Sequence, residues 1–339
     1  MKSPLFKIRE DGKYGFINAE GQVMIEPQYF EVEDFYNDFS RVRFNNKLVP
    51  LDSLGRLLMK HIFNHVGHFE DGLAKAQLVN LWGYIDIRGS LVIPVQFEEV
   101  GDFSDGLAPA GAVGKMGFIN KEGDFEIAPN FEITTGFSES LAAVQKEDKY
   151  GFIDNTGKIV IPAKYDAVSA FQNGIATIVV NDNWGFINSA GAYVCTPQFD
   201  LVEDYVTGNC YEGMALISKD DKYGFVTAQG EIIIPPSYSF AGDFSEGLAL
   251  VERDGKYGYI NKKGIAIIPP QFEDAGVFSE GLAQVKTKGR WGYINTDGLY
   301  AIPVQFDKVQ PFKNGLAWIE QNGKWGYIDR FGEVIWREQ

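Results

Sequence analysis

All three histidines of the chain stand close together, His61, His65 and His68, in the stretch MKHIFNHVGHF at residues 59–69. On a helix, their i, i+4, i+7 spacing would bring three imidazoles to one face and suggest a metal site. Cys195 and Cys210 are the only cysteines. A reactive thiol needs a cationic neighbour to lower its pKa, and the segment VTGNCYEG around Cys210 offers none. Carboxylates gather at three further places: Glu98, Glu99, Asp102 and Asp105; Asp243 and Glu246; Glu273, Asp274 and Glu280. Such groups could dock a basic partner or hold a cation weakly. No P-loop, EF-hand loop or zinc-pair spacing occurs, and the sequence implies no cofactor.

What these residues can do depends on the elements that carry them, and those elements repeat. An aromatic–Gly pair stands at Tyr14-Gly15, Trp82-Gly83, Tyr150-Gly151, Trp184-Gly185, Tyr223-Gly224, Tyr257-Gly258, Trp291-Gly292 and Trp325-Gly326. Leu48-Val49 and Met116-Gly117 fill the two remaining slots. The step is 34 residues throughout, except for 39 between Trp184 and Tyr223, which marks a five-residue insertion. A Leu-Ala type pair (Leu107-Ala108, Leu248-Ala249, Leu282-Ala283) and a Phe-Ser-x-Gly phrase (Phe103 to Gly106, Phe244 to Gly247, Phe278 to Gly281) keep the same beat. Three markers in phase define a tandem array of ten units.

One unit, residues 248–281, reads LALVERDGKYGYINKKGIAIIPPQFEDAGVFSEG. LALVE is a short strand. Asp254-Gly255 supplies the positive φ of a tight hairpin. KYGYIN alternates as a second strand, with Tyr257 and Tyr259 on one face and Ile260 on the other. Asn261 begins a turn that closes on Gly264. IAIIP is a third strand, stopped by Pro269-Pro270. The remaining residues cross to the next unit and have room for a short fourth strand. No segment carries the 3.6-residue period of a long helix. The expected fold is all-β: ten meanders of about 34 residues, at about 4–30, 39–61, 73–95, 107–129, 141–163, 175–197, 214–236, 248–270, 282–304 and 316–339, in one domain over 1–339. A Gly inside a strand weakens it unless something approaches closely. We expect an aromatic ring from a neighbouring strand or unit to lie against the signature Gly.

The phrase K-[WY]-G-[YF]-I-[ND]-x-x-G, followed by I-P-P-Q-[FY]-[DE] and F-S-E-G-L-A-x-V, resembles the WG-repeat (KWG-repeat) proteins of bacteria. The match runs from residue 4 to 336 and departs most in the second unit, where Leu48-Val49 replaces the signature and Lys60-His61 the prolines. The resemblance implies β-structured recognition modules and no activity common to the family. The order of signals is also similar to that of propeller blades, although the unit is shorter than the ~40–45 residues of WD-type blades and ten would exceed the usual ~4–8. An open superhelix of the same meanders is the alternative to propeller-like packing, and in both each unit buries its apolar faces against its neighbours.

The register reinterprets the candidate sites. His61, His65 and His68 align with Val95, Glu99 and Asp102 of the next unit, in a crossing segment rather than on a helix, so a degenerate repeat competes with a metal site. The insertion lies in EDYVTGNCYEGMA at 203–215, and Thr207, Asn209, Cys210 and Tyr211 are candidate partner contacts there. A neutral insertion at a tolerant loop competes with that reading. The acidic clusters, with Glu98, Glu99 and Asp102 as the leading candidates, would line one rim of stacked units; a solvated edge that discourages strand pairing is the plainer explanation.

Composition limits the function. The chain has 339 residues, 45% of them hydrophobic, with a formal net charge of −15. An acidic chain without a basic excess is not a general nucleic-acid binder. No apolar run is long enough to span a membrane. Two cysteines are no disulfide framework, although a single Cys195–Cys210 pair stays possible, and the expected compartment is the cytoplasm, with a trimmed or unconventional export signal as the alternative. The expected function is a non-enzymatic scaffold for protein–protein recognition. A carbohydrate-binding array with exposed aromatics, and an enzyme or metal site around the histidines of the second unit, are the rivals.

Overall fold

A computed structural model of the chain describes residues 4–36, 38–45, 47–58, 63–200, 211–227 and 229–338, with only the backbone of Lys47 and Asp200. Every regular element among them is a β-strand, and every strand pairing is antiparallel between neighbours in sequence. The chain divides into two compact units, one of Met1–Gly174 with Ser189–Gly191, the other of Ile175–Asn188 with Ala192–Gln339.

The eighth repeat shows the pattern. Leu248–Arg253, Lys256–Asn261 and Ala266–Phe272 form a meander, and Phe240–Ser245, from the segment that crosses over from the seventh repeat, adds an outer fourth strand against Leu248–Arg253. The crossing segment thus belongs to the sheet that follows it. In the first hairpin Asp254 has φ 54° and Gly255 φ 71°. Two consecutive left-handed residues define the turn whose twist matches paired strands. The second hairpin is held by the residue after the signature Ile: Asn261 Oδ1 accepts the amides of Lys263 and Ile265, both at 3.0 Å. Asp329, Asp86 and Asn18 do the same in their own repeats. Short polar side chains mimic a backbone turn in this way.

The signature Gly meets backbone, not a ring. A Cβ on Gly258 would lie 2.5 Å from both the Ile268 oxygen and the Pro270 nitrogen. The cause is a bulge. Tyr257 pairs with Phe272 and Tyr259 with Ile268, so two residues of the signature strand face four of the third strand. The surplus residues around Pro269 fold over the Gly. Prolines belong at such bulges, where no ladder amide is needed. Gly15, Gly83, Gly117, Gly151, Gly185, Gly224 and Gly292 meet the same carbonyl and the same following backbone. The second repeat has Val49 in the slot. Among the described residues its sheet has two strands, Phe39–Phe44 and Lys47–Asp52, with isolated bridges from Val32 to Val42, Tyr36 to Phe39 and Leu51 to Leu57, and the Leu58 amide donates to the Pro50 oxygen at 3.0 Å.

Alternation sends each sheet's side chains into two different cores. Leu248, Leu250 and Tyr259 pack with Phe278, Ala283, Val285 and Ile294 of the following repeat. Ala249, Val251 and Ile260 pack with Met214, Leu216, Phe225 and Ile234 of the preceding one. The ring after the signature Gly is the centre of each core. Tyr259 is fully buried, stands tilted against Phe278 with ring centres 4.8 Å apart, and donates its hydroxyl to the Gly276 oxygen at 2.7 Å. Burying such a side chain contributes roughly 1.5–3 kcal/mol, and because each core is shared by two repeats that contribution couples neighbours along the array. The ring before the Gly is only half-buried at Tyr257, Trp291 and Trp325, although Trp184 is buried.

Candidate functional site

The crossing segments hold the candidate residues, and most of the polar groups there are already used within the fold. The Ser of Phe-Ser-x-Gly reaches the next repeat. Ser245 Oγ donates to the Phe278 oxygen at 2.8 Å and Ser279 Oγ to the Phe312 oxygen at 2.7 Å; Ser104 and Ser138 bond in the same way to Phe137 and Phe171. The acidic residue after that Ser caps the next repeat as well. Glu246 accepts the Gly281 amide at 2.9 Å, Glu280 the Gly315 amide at 2.8 Å, and Glu212 the Gly247 amide at 3.0 Å. Burial pushes the Glu212 carboxyl up, but the Lys262 ammonium and the Gly247 amide outweigh it and hold it below the usual range. A second set of carboxylates caps the first hairpin of its own sheet. Glu98 accepts the Gly114 amide at 2.9 Å, and Glu273 accepts those of Lys288 and Gly289, both at 2.9 Å. The Gly289 amide is the main cause that holds Glu273 below the ordinary carboxylate range.

The expected acidic rim is therefore largely a ladder of caps. Of its leading candidates, Glu98 is a cap, Asp102 pairs with Lys75 at 3.1 Å, and Glu99 is exposed. Charge counting missed the pairing. The available signal was the regular offset between each Ser-Glu-Gly and the next, which places a carboxylate 35 residues before the amide it caps.

His65 and His68 lie on a strand within the crossing segment. His65–Glu70 is the outer strand of the third sheet, with a bulge between Val66 and Phe69. His65 is half-buried edge-on to Trp82 at 5.5 Å, and its Nδ1 is buried without a hydrogen-bond partner. Burial, then Arg41 and Lys75, lowers its pKa, against an opposing pull from Glu33. A neutral imidazole suits that position. His68 is exposed and stands edge-on to Tyr36 at 5.3 Å. The two rings thus rest on different aromatics, and no group of three or more His, Cys, Asp or Glu among the described residues is placed to hold a metal ion. His61 lies outside the described residues, as do Thr207, Asn209 and Cys210. Cys195 is buried, with Gln198 Nε2 at 3.4 Å from its sulfur. Tyr211 is exposed, pairs its backbone with Met214, and lines a cleft beside Asp243. No helix among the described residues is long and apolar enough to cross a membrane.

No curated protein matches the chain. Among solved structures it is similar to one titled a crystal structure of the eukaryotic initiation factor, at 11% identity and a TM-score of 0.55, over 99% of this chain and 96% of that one. Kluyveromyces lactis Hsv2p is also similar, at 8% identity and a TM-score of 0.36, over 58% of this chain and 73% of that one. At such identities the first likeness concerns the fold alone, a β-propeller-like repeat architecture. The repeat described as WG containing repeat matches eight times, at residues 14–47, 82–110, 116–150, 150–184, 184–223, 223–257, 257–291 and 291–325. The gap between the first two matches, residues 48–81, takes in Leu48-Val49 and all three histidines. With most of its length in these matches, the chain belongs to the family of WG-repeat proteins.

Proposed function

We propose that the protein is a non-enzymatic binding scaffold that recognises a protein partner through its crossing segments, with the second and sixth repeats specialised for contact. The observation that supports this most is where the structural bonds are absent. Signature, hairpin caps, serines and capping carboxylates are used by the fold in repeat after repeat. The second repeat departs from the signature at Leu48-Val49, and around it stand the exposed side chains of Phe30, Tyr36, Leu54 and His68. Aromatic and aliphatic groups outside a rigid frame are what protein recognition uses. The second signature rings favour this over sugar stacking: Tyr84, Tyr259 and Tyr293 are buried, with hydroxyls bonded to main-chain oxygens of Gly101, Gly276 and Gln310.

The test is affinity capture with the intact chain beside two variants, one altered across 59–69 and one lacking 206–210. Loss of the same captured protein from either variant supports the reading. Capture of nothing, or of an identical set by all three, refutes it.

A further inference from the structure

A cleft of about 380 Å3 opens at the outer strand of the eighth sheet, lined by Tyr211, Leu216, Phe240, Leu250, Val277 and a single carboxylate, Asp243. Asp243 lies in the bulge between Ala241 and Phe244. Among the described residues it has neither hydrogen bond nor ion pair, and burial alone pushes its pKa above the usual range. Such a group is costly to bury without a partner.

The repeats supply an internal reference for what is missing. Asp102 occupies the corresponding position in the crossing segment before the fourth repeat, and there the Lys75 ammonium sits 3.1 Å away. Lys75 precedes Asp102 by 27 residues. The residue 27 before Asp243 is Leu216. The internal cation has been replaced by an aliphatic side chain and open volume. A second acceptor lies close by: Gln284 packs its amide against Gly276 of the cleft wall, and its Oε1 is buried without a partner.

We propose that the Asp243 cleft receives the side-chain ammonium of a lysine presented by a partner protein. The proposal rests on the scaffold reading and names the chemistry of one contact. Aliphatic and aromatic walls suit the methylene stem of a lysine, whose charged end seeks the carboxylate. A charge-assisted bond to a partly desolvated carboxylate is stronger than one at an open surface. An acidic chain of net charge −15 also attracts a basic partner over distance.

The probes are Nα-acetyl-lysine methylamide and Nα-acetyl-norleucine methylamide, which keeps the four side-chain carbons and lacks the ammonium, titrated against the methyl-labelled full chain by NMR. We expect the lysine probe to shift the methyl signals of Leu216, Leu250 and Val277, and the norleucine probe to bind at least about tenfold more weakly. Asp243→Asn abolishes the difference between the probes. Leu216→Lys recreates the Lys75 arrangement and blocks the lysine probe while the remaining methyl spectrum is retained. Equal shifts from both probes, no shift at these methyls at tens of millimolar, or an unchanged lysine response in Asp243→Asn overturns the proposal. Such a failure alongside capture that still depends on 59–69 leaves the scaffold reading standing. A lysine response in a chain that captures no protein overturns the partner-protein source and makes a free alkylamine the ligand.

Discussion

Adding one methyl group to the signature Gly should cost far more than adding it to a Gly elsewhere in the same compact unit. In Gly258→Ala the new Cβ would lie 2.5 Å from the Ile268 oxygen and the Pro270 nitrogen, where about 3.4 Å or more is ordinary. Both atoms are backbone, so no flexible side chain can swing aside. Relief requires the third strand to retreat by about 1 Å. That loosens the Tyr259–Ile268 pairing and unseats Ile268, which is 2% exposed in the core with Tyr259 and Phe278. Overpacking costs about 1–3 kcal/mol, and backbone atoms on the other side put this case at the upper end. For a domain of this size each kcal/mol moves the melting midpoint by roughly 2–4 °C, so a drop of about 6–12 °C is expected. Two controls separate space from conformation. Gly242→Ala meets nothing nearer than Val277 Cγ1 at 3.7 Å, at an ordinary φ. It should be neutral, or stabilise by about 0.4–1 kcal/mol. Gly255→Ala has open space but φ +71°, and should cost only the left-handed penalty of about 1–2 kcal/mol. Because repeat arrays need not melt in one step, the thermal midpoint is read together with amide exchange at Tyr259 and Ile260. If Gly258→Ala melts within about two degrees of Gly242→Ala, the backbone-bulge account of the signature is wrong.

Removing a staple between repeats by Ser279→Ala should cost about 1 kcal/mol in chemical denaturation and accelerate amide exchange around Phe312, since the Phe312 oxygen loses its donor. Asn261→Ala should cost a similar ~0.5–2 kcal/mol by freeing two turn amides, while Asn261→Asp, the residue found at Asp329, should be tolerated; denaturant midpoints compare the two. Glu212 and Glu273 have folded pKa values below their ordinary one, so the stability they confer is complete above the unfolded value of 4.5 and is lost as pH falls through the folded values. A pH-dependent unfolding series should show that acid loss reduced in Glu273→Gln. Asp243 has the opposite sign: its raised folded pKa makes the ionised form a burden at neutral pH, relieved as pH falls through that value, so Asp243→Asn should be more stable than the parent at pH 7 and converge with it in acid.

The period, the strand order and both hairpins were readable because each follows from a local rule. Asp254-Gly255 can adopt two left-handed residues, Asn261 can accept two amides, and alternation assigns Tyr259 and Ile260 to opposite faces. The helical metal face at His61, His65 and His68 dissolved once the 34-residue register put them in a crossing segment, and His65–Glu70 is a strand. What approaches Gly258 was not readable. A ring and a folded backbone leave the same demand for a missing Cβ, and only the pairing of two residues against four reveals which is present. Carboxylate pairing was hidden for a related reason, since Glu246 and Gly281 are 35 residues apart and meet only after the repeats stack.

Stacking also explains why function is sought where the pattern fails. A residue such as Ser279 or Glu280 links its own repeat to the next, so a substitution there weakens two sheets at once. Positions under that constraint cannot be adapted freely to a ligand. Positions released from it can, as at Leu216, which stands where Lys75 balances a carboxylate in the third repeat. Loss of an internal partner leaves an unsatisfied group facing open space, as at Asp243, and such a group is an incomplete interaction that a second molecule can complete. In a regular array, each place where a repeat stops satisfying its own groups is where recognition by another molecule becomes favourable.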